Sequence, residues 1–231
     1  MSLSKIYKAA KIATVVPVAL LAMKSPQIFF DAPEVIALDA FYSVTDEAEE
    51  ASLEVDDQIT LVVLKGATEK EQMVVDALQA RGISDPNAIA TVLGNIEQES
   101  RWKNDVCEGG ARGPYRTCRR GGFGLIQWTT HGRYDGLGRH ATKHGLAPES
   151  MEAQLSYLFS ETEWKKIEAQ LKQPGFSISR YMQLAHRWLG WGIHGNRTHY
   201  SQQYAQRLTV VQVPASECPT LKYPEGHIFR V

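Results

Sequence analysis

Helix-start signals recur through the middle of this chain, and they constrain its fold more than any other feature. Thr68, followed three residues later by Glu71, forms a capping box, and Met73, Val74, Ala77 and Leu78 recur behind it at helical spacing. Asp85 is placed to cap a second helix whose first position is Pro86, where the missing N–H of proline costs nothing. Ser150 opens a third, with Met151, Leu155, Leu158 and Phe159 turned inward and the pattern running on towards Leu171. Further helical patterns fit residues 177–189 and 199–208. The expected fold class is mainly α, with a helical domain over 68–210. From Thr209 onward Pro214, Pro219 and Pro224 point to an extended or irregular tail, residues 211–231.

Residues 1–67 read differently. Lys5, Lys8 and Lys11 precede an apolar run from Ile12 through Val15, Val16 and Leu20 to Met23, closed by Lys24. A bilayer span needs about 20 residues, so the run is short for one. Its size and basic flank suit an export signal, a weak membrane anchor, or a plug docked into a partner assembly. Between Asp31 and Asp76 only Lys65 and Lys70 oppose the acids, which include the cluster Asp46, Glu47, Glu49 and Glu50. That stretch reads as an arm or linker, with one strand-like run from Ile59 to Leu64.

Charge is nearly balanced overall, at −1 over 231 residues, which excludes a chain-wide polyanion-binding signature. The balance reverses locally: Arg101, Lys103, Arg112, Arg116, Arg119, Arg120, Arg133, Arg139 and Lys143 face only Asp105, Glu108 and Asp135. A basic stretch of this kind suits an anionic partner, and on charge alone nucleic acid and cell-wall polymer both fit, as does a solvated face. Cys107 and Cys118 bracket a Gly- and Arg-rich loop, and a disulfide between them fits if the protein meets an oxidising compartment. No C-x-x-C or paired-histidine spacing accompanies them, and no Glu lies between His140 and His144 in the zinc-peptidase pattern, so no metal is expected. A cysteine peptidase is disfavoured, because Cys107 and Cys118 pair more naturally with each other and Cys218 lies in the tail.

The chemistry concentrates at the end of the helix that opens at Pro86. Ile89, Val92, Leu93 and Ile96 fall on one stripe, with Glu97 on one border and Glu99 on the other. A carboxyl at the edge of an apolar face is partly desolvated, which raises its pKa and suits it to donate a proton near neutrality. Periodicity alone does not choose between the two. Some twenty residues later comes Gly121-Gly122-Phe123-Gly124-Leu125-Ile126-Gln127-Trp128. Its glycines permit close approach to the backbone, the Gln127 amide both donates and accepts, and Trp128 is a flat stacking surface. Those are the groups with which proteins hold sugar rings.

Gly94-Asn95 followed by Glu99-Ser100, the Gly124-Leu125-Ile126-Gln127-Trp128 turn, the Arg133 to Leu137 stretch and the helix from Ala153 to Leu158 together resemble the phage tail lysozyme family. That family sits in the lysozyme-like superfamily with goose-type lysozymes and lytic transglycosylases. The resemblance covers roughly residues 70–210 and implies a lysozyme-like helical domain acting on bacterial peptidoglycan, with no cofactor and no nucleic-acid partner. It places Glu99 at the catalytic acid position, and Ser100, Gly124, Gln127 and Trp128 at positions that support the acid or line the glycan groove. Glu97 matches no catalytic position. The segment from Trp188 to Asn196 departs from the family pattern; Trp188 and Trp191 fit either a cleft wall or the core.

Two carboxylates are the usual requirement for glycoside hydrolysis. Asp105, Glu108 and Asp135 are the candidates for a second, none of them selected by spacing. The resemblance to lytic transglycosylases implies an alternative in which Glu99 acts alone and the C6 hydroxyl of the muramic acid attacks. The resemblance also implies a muramidase of the virion tail, docked to other tail proteins through residues 1–67 and acting in the host cell wall or periplasm. A host-lysis enzyme tethered through Ile12 to Met23 and an inactive wall-binding component are the rivals.

Overall fold

The computed structural model describes residues 58–215 apart from 119, 120 and 130, together with 221–222 and 228–229. The apolar run 12–23, the acidic cluster 46–50, Arg119, Arg120 and Cys218 lie outside the described residues. The elements run β1 (Gln58–Leu64), α1 (Glu69–Ala80), α2 (Pro86–Ser100), α3 (His131–Lys143), α4 (Met151–Ser160), α5 (Thr162–Leu171), α6 (Ile178–Leu189), α7 (Arg197–Arg207), β2 (Leu208–Pro214), β3 (Leu221–Lys222) and β4 (Ile228–Phe229). Mainly α is the right class.

The caps form as local chemistry dictates. Glu71 N–H donates to Thr68 Oγ1 at 3.3 Å while Thr68 N–H donates to Glu71 Oε2 at 2.7 Å, so both halves of the capping box are made. Asp85 Oδ1 accepts from the amides of Asn87 and Ala88, and Ser150 and Ser177 cap α4 and α6 in the same way. The single helix expected between Ser150 and Leu171 is two. Glu161 takes an extended backbone (φ −64°, ψ 142°) that ends α4 and begins α5. The apolar spacing passes through this corner unbroken, which is why periodicity did not reveal it.

Helix α2 forms the centre of the body. Every residue from Ala88 to Ile96 is buried, so this is a helix enclosed on all sides rather than one with a single apolar stripe. Gly94 permits α7 to cross it closely: a Cβ there would lie 2.5 Å from the backbone nitrogen of Ser201. Around this pair Ile83, Leu155, Leu158, Trp164, Ile167, Tyr181, Leu184 and Trp188 complete one core.

The strand-like run joins that body. β1 pairs antiparallel with β2, from Gln58 opposite Pro214 to Leu64 opposite Leu208, and turns Val62 and Leu64 into the core. The Gln79 side chain of α1 accepts from Val62 N–H at 2.6 Å and donates to Val62 O at 3.0 Å, which ties the sheet to the helices. Residues 58–64 thus pack with the helical domain rather than extending the arm. The tail expected to be irregular from Thr209 is a regular strand as far as Pro214. Two β-branched-rich segments that each expose one face satisfy one another's backbone groups at the domain's edge.

Candidate active site

Glu99 lies one residue from the end of α2, where this buried helix reaches the surface. Its side chain is 17 % exposed, and its Oε1 accepts from the Arg197 Nη2 of α7 at 2.6 Å. Burial pushes the Glu99 carboxyl above the ordinary carboxylate range; Arg197 and, less strongly, Arg133 pull against it, and burial prevails. The backbone beyond it is unusual. Arg101 (φ 50°) and Trp102 (φ 61°) are successive residues in the left-handed region, where a Cβ costs energy. Trp102 holds them there: its Nε1 donates to the Tyr204 hydroxyl at 2.7 Å, which donates to Glu71 Oε1 at 2.8 Å, while Lys70 Nζ donates to Trp102 O at 3.1 Å. The end of the acid-bearing helix is thereby clamped to α1 and α7.

The Gly-rich turn packs as a rigid framework. Gly124 (φ 74°) leaves room for the Gln154 amide, which lies 2.6 Å from where a Cβ would stand. That amide accepts from Leu125 N–H at 2.8 Å and donates to Asn104 O and Pro148 O. Gln127, also at positive φ (51°), donates from Nε2 to Gly124 O at 3.0 Å and Val106 O at 3.2 Å. Ser100 is buried and donates to Ile96 O at 3.3 Å. Trp128 corrects the sequence reading: at 0 % exposure it has no face for a sugar ring and packs beside Tyr157 instead. Trp188 is likewise core, edge-on to Trp164. Only Trp191 of that pair is half-buried, with the Arg197 guanidinium 4.5 Å above its ring.

The candidates for a second carboxylate are held elsewhere. Asp105 is forked by Arg112 at 2.8–3.0 Å, which keeps its carboxyl below the usual range. Glu108 and Asp135 are exposed. Among the described residues, none of the three shares a hydrogen bond or ion pair with Glu99. Arg133, from the Arg133 to Leu137 stretch, forks onto buried Glu161 at 2.7 and 2.8 Å. Cys107 and Cys118 form a disulfide with Cα atoms 5.4 Å apart, closing the loop that carries Arg112, and Val106 just before that loop accepts from Gly124 N–H at 2.9 Å. No cluster of three or more potential metal ligands occurs among the described residues, and no helix among them is long and apolar enough to cross a membrane.

A family model described as phage tail lysozyme matches residues 69–208. The chain belongs to the phage tail lysozyme family. Neither the curated proteins nor the solved structures contain a match to it. Membership carries a peptidoglycan-lytic, lysozyme-like role with peptidoglycan as the substrate. In this phage tail lysozyme family member the matched segment runs from the first residue of α1 to the first of β2, so it contains Glu99, the Gly124 turn and Arg197.

Sequence reasoning missed Arg197. It lies 98 residues beyond Glu99, and no motif spacing connects two helices across that distance. The helical pattern over 199–208 also left it outside the helix, whereas in the structure Arg197 opens α7, a position where a cation opposes the macrodipole.

Proposed function

We propose that this chain is a muramidase that cleaves the glycan backbone of peptidoglycan between N-acetylmuramic acid and N-acetylglucosamine, with Glu99 as the general acid. The observation that carries this reading is a single carboxyl, at the mouth of a buried helix, whose proton affinity burial has raised. A carboxyl poised in this way gives its proton to the glycosidic oxygen as the C1–O bond breaks, then withdraws a proton from the attacking hydroxyl. Ser100, Gly124, Gln127 and Trp128 contribute by fixing the backbone around the site, through the contacts described above.

The identity of that hydroxyl has two readings. Water gives hydrolysis and needs a partner carboxylate. Asp105 is occupied by Arg112, and this favours the second reading, in which the substrate's own C6 hydroxyl attacks and leaves an anhydro-muramic end. Placement in the virion tail, with residues 1–67 docking to other tail proteins, is supported by the family's description and by the acidic composition of that segment.

Mass spectrometry of purified peptidoglycan digested by the full chain tests the function. Disaccharide muropeptides ending in a muramic residue are expected: a reducing end marks hydrolysis and an anhydro end marks transglycosylation. Release of free peptides alone, or no release with retained wall binding, refutes the muramidase reading. Detection of the full-length chain in purified particles supports the tail placement, whereas a pool confined to host membranes late in infection supports host lysis.

A further inference from the structure

We infer that Arg197 is a positioning residue for the reaction, fixing which oxygen of Glu99 carries the transferable proton; this rests on the reading of Glu99 as the acid. The guanidinium is almost wholly enclosed, its side chain 5 % exposed. One Nη meets Glu99 Oε1 at 2.6 Å, the other lies 3.5 Å from Asn95 Oδ1, and its flat face lies on Trp191. Its backbone is gripped from the same helix. Asn196 N–H donates to Gln98 Oε1 at 2.7 Å, and Gly195 approaches so closely that a Cβ there would lie 2.8 Å from the Gln98 amide. Asn95, Gln98 and Glu99 share one face of α2, at i, i+3 and i+4, and that face holds residues 195–197. Ser201, one turn beyond Arg197 and itself the residue at the close crossing with Gly94, donates from Oγ to Arg197 O at 2.8 Å.

The arrangement is costly for stability. Arg197 opens α7 against the helix dipole, and its buried Nε has no hydrogen-bond partner among the described residues. Costs of this kind concentrate where function maintains them. With Oε1 held as the acceptor of Arg197, the proton resides on Oε2, and the carboxyl cannot rotate without breaking a buried charge-assisted bond. When the proton leaves for the glycosidic oxygen, the carboxylate that forms already faces a cation. That interaction is stronger in the transition state than in the ground state, so it acts on kcat rather than KM. The charged groups around Glu99 are Arg197 from α7 and Arg133 from α3, the latter already forked by Glu161; His186 and His194 face Trp191 behind Arg197.

The test compares full-length Arg197→Met and Arg197→Lys with the unmodified chain, on purified peptidoglycan across pH. A parallel carbon-13 NMR titration follows the Glu99 carboxyl, identified as the signal lost in Glu99→Gln. Arg197→Met is expected to lower kcat roughly ten- to a hundredfold with KM nearly unchanged, and to move the Glu99 midpoint and the alkaline limb of the pH profile upward. Arg197→Lys keeps the charge, so the midpoint returns close to the unmodified position while kcat recovers only in part. A folded Arg197→Met with an unmoved midpoint, or unchanged kcat in Arg197→Lys, overturns the inference. Should Arg197→Met fail to fold, Arg197→Lys decides by the same kcat criterion. Full activity in Glu99→Gln refutes the acid assignment instead, and the NMR midpoint still reports separately on whether Arg197 governs Glu99.

Discussion

Gly94→Ala is the perturbation that most directly probes how the fold builds the site. In an isolated helix the change stabilises, because alanine is favoured over glycine by about 1 kcal/mol. Here the new methyl would stand 2.5 Å from Ser201 N and 2.8 Å from Ser201 Cα, and both are backbone atoms that no rotamer change can move. Ordinary contact begins at 3.4 Å, so α7 must retreat by about 0.9 Å. Added to the present 2.6 Å between Arg197 and Glu99, that retreat takes the pair to the limit of hydrogen-bonding range. Overpacking of this kind costs about 1–3 kcal/mol. Set against the propensity gain, it leaves a net destabilisation of up to about 2 kcal/mol in urea unfolding. Peptidoglycan turnover should fall by more than the loss of folded protein explains. Ser201→Gly, which removes only the facing side chain, should not rescue it. A Gly94→Ala protein with unchanged urea midpoint and unchanged turnover would refute the close-crossing account.

Three further outcomes follow from the structure. Asp76 on α1 is pushed up to about 6 by burial, so the folded state holds its proton more tightly than the unfolded chain and stability falls as pH rises from about 4 to 6. Asp76→Asn should flatten that slope and be more stable at pH 7 by about 1–3 kcal/mol, as urea midpoints at four pH values would show. Reduction of the Cys107–Cys118 disulfide, or Cys107→Ser with Cys118→Ser, frees a loop with cysteines 11 residues apart and should cost about 3 kcal/mol; an unchanged urea midpoint in reductant contradicts this. Tyr204→Phe strands the Trp102 indole N–H and removes one donor from Glu71 Oε1, which keeps Arg207 at 3.2 Å. It should cost about 1–3 kcal/mol and lower turnover by releasing the left-handed pair Arg101 and Trp102, both measurable on one preparation.

Much of the fold was legible, and the gaps have physical reasons. Caps at Thr68, Asp85, Ser150 and Ser177 are local chemistry, and each forms where its side chain stands. Helix α3 escaped notice because Gly132, Gly136 and Gly138 argue against a helix by propensity. In the fold two of them admit aromatic neighbours: a Cβ at Gly136 would lie 2.8 Å from Tyr157 Cζ, and one at Gly138 would lie 2.7 Å from the Tyr115 hydroxyl. Strand β2 was hidden by Pro214, its last residue, and by the prolines beyond it, although Thr209, Val210, Val211 and Val213 have strand-forming side chains. At the site, Glu99 was separated from Glu97 only by the residues around it; helical spacing left them equal. Trp128 reads as a stacking surface in the sequence yet is core in the fold, because an aromatic beside a glycine turn does not declare which way it points. Arg197 was invisible for the opposite reason, since its meaning lies in a contact between helices that the chain connects only after 98 residues.

Glu99 is the residue on which the proposed glycan cleavage depends. Glu99→Gln preserves the shape and an acceptor for Arg197 but removes the transferable proton. Release of muropeptides from purified peptidoglycan, measured beside the urea midpoint at neutral pH, tests it most directly. We expect muropeptide release to drop to background, with the midpoint unchanged or raised because a buried carboxylate has been neutralised. Muropeptide release at the unmodified rate from a folded Glu99→Gln protein would contradict the assignment of the acid.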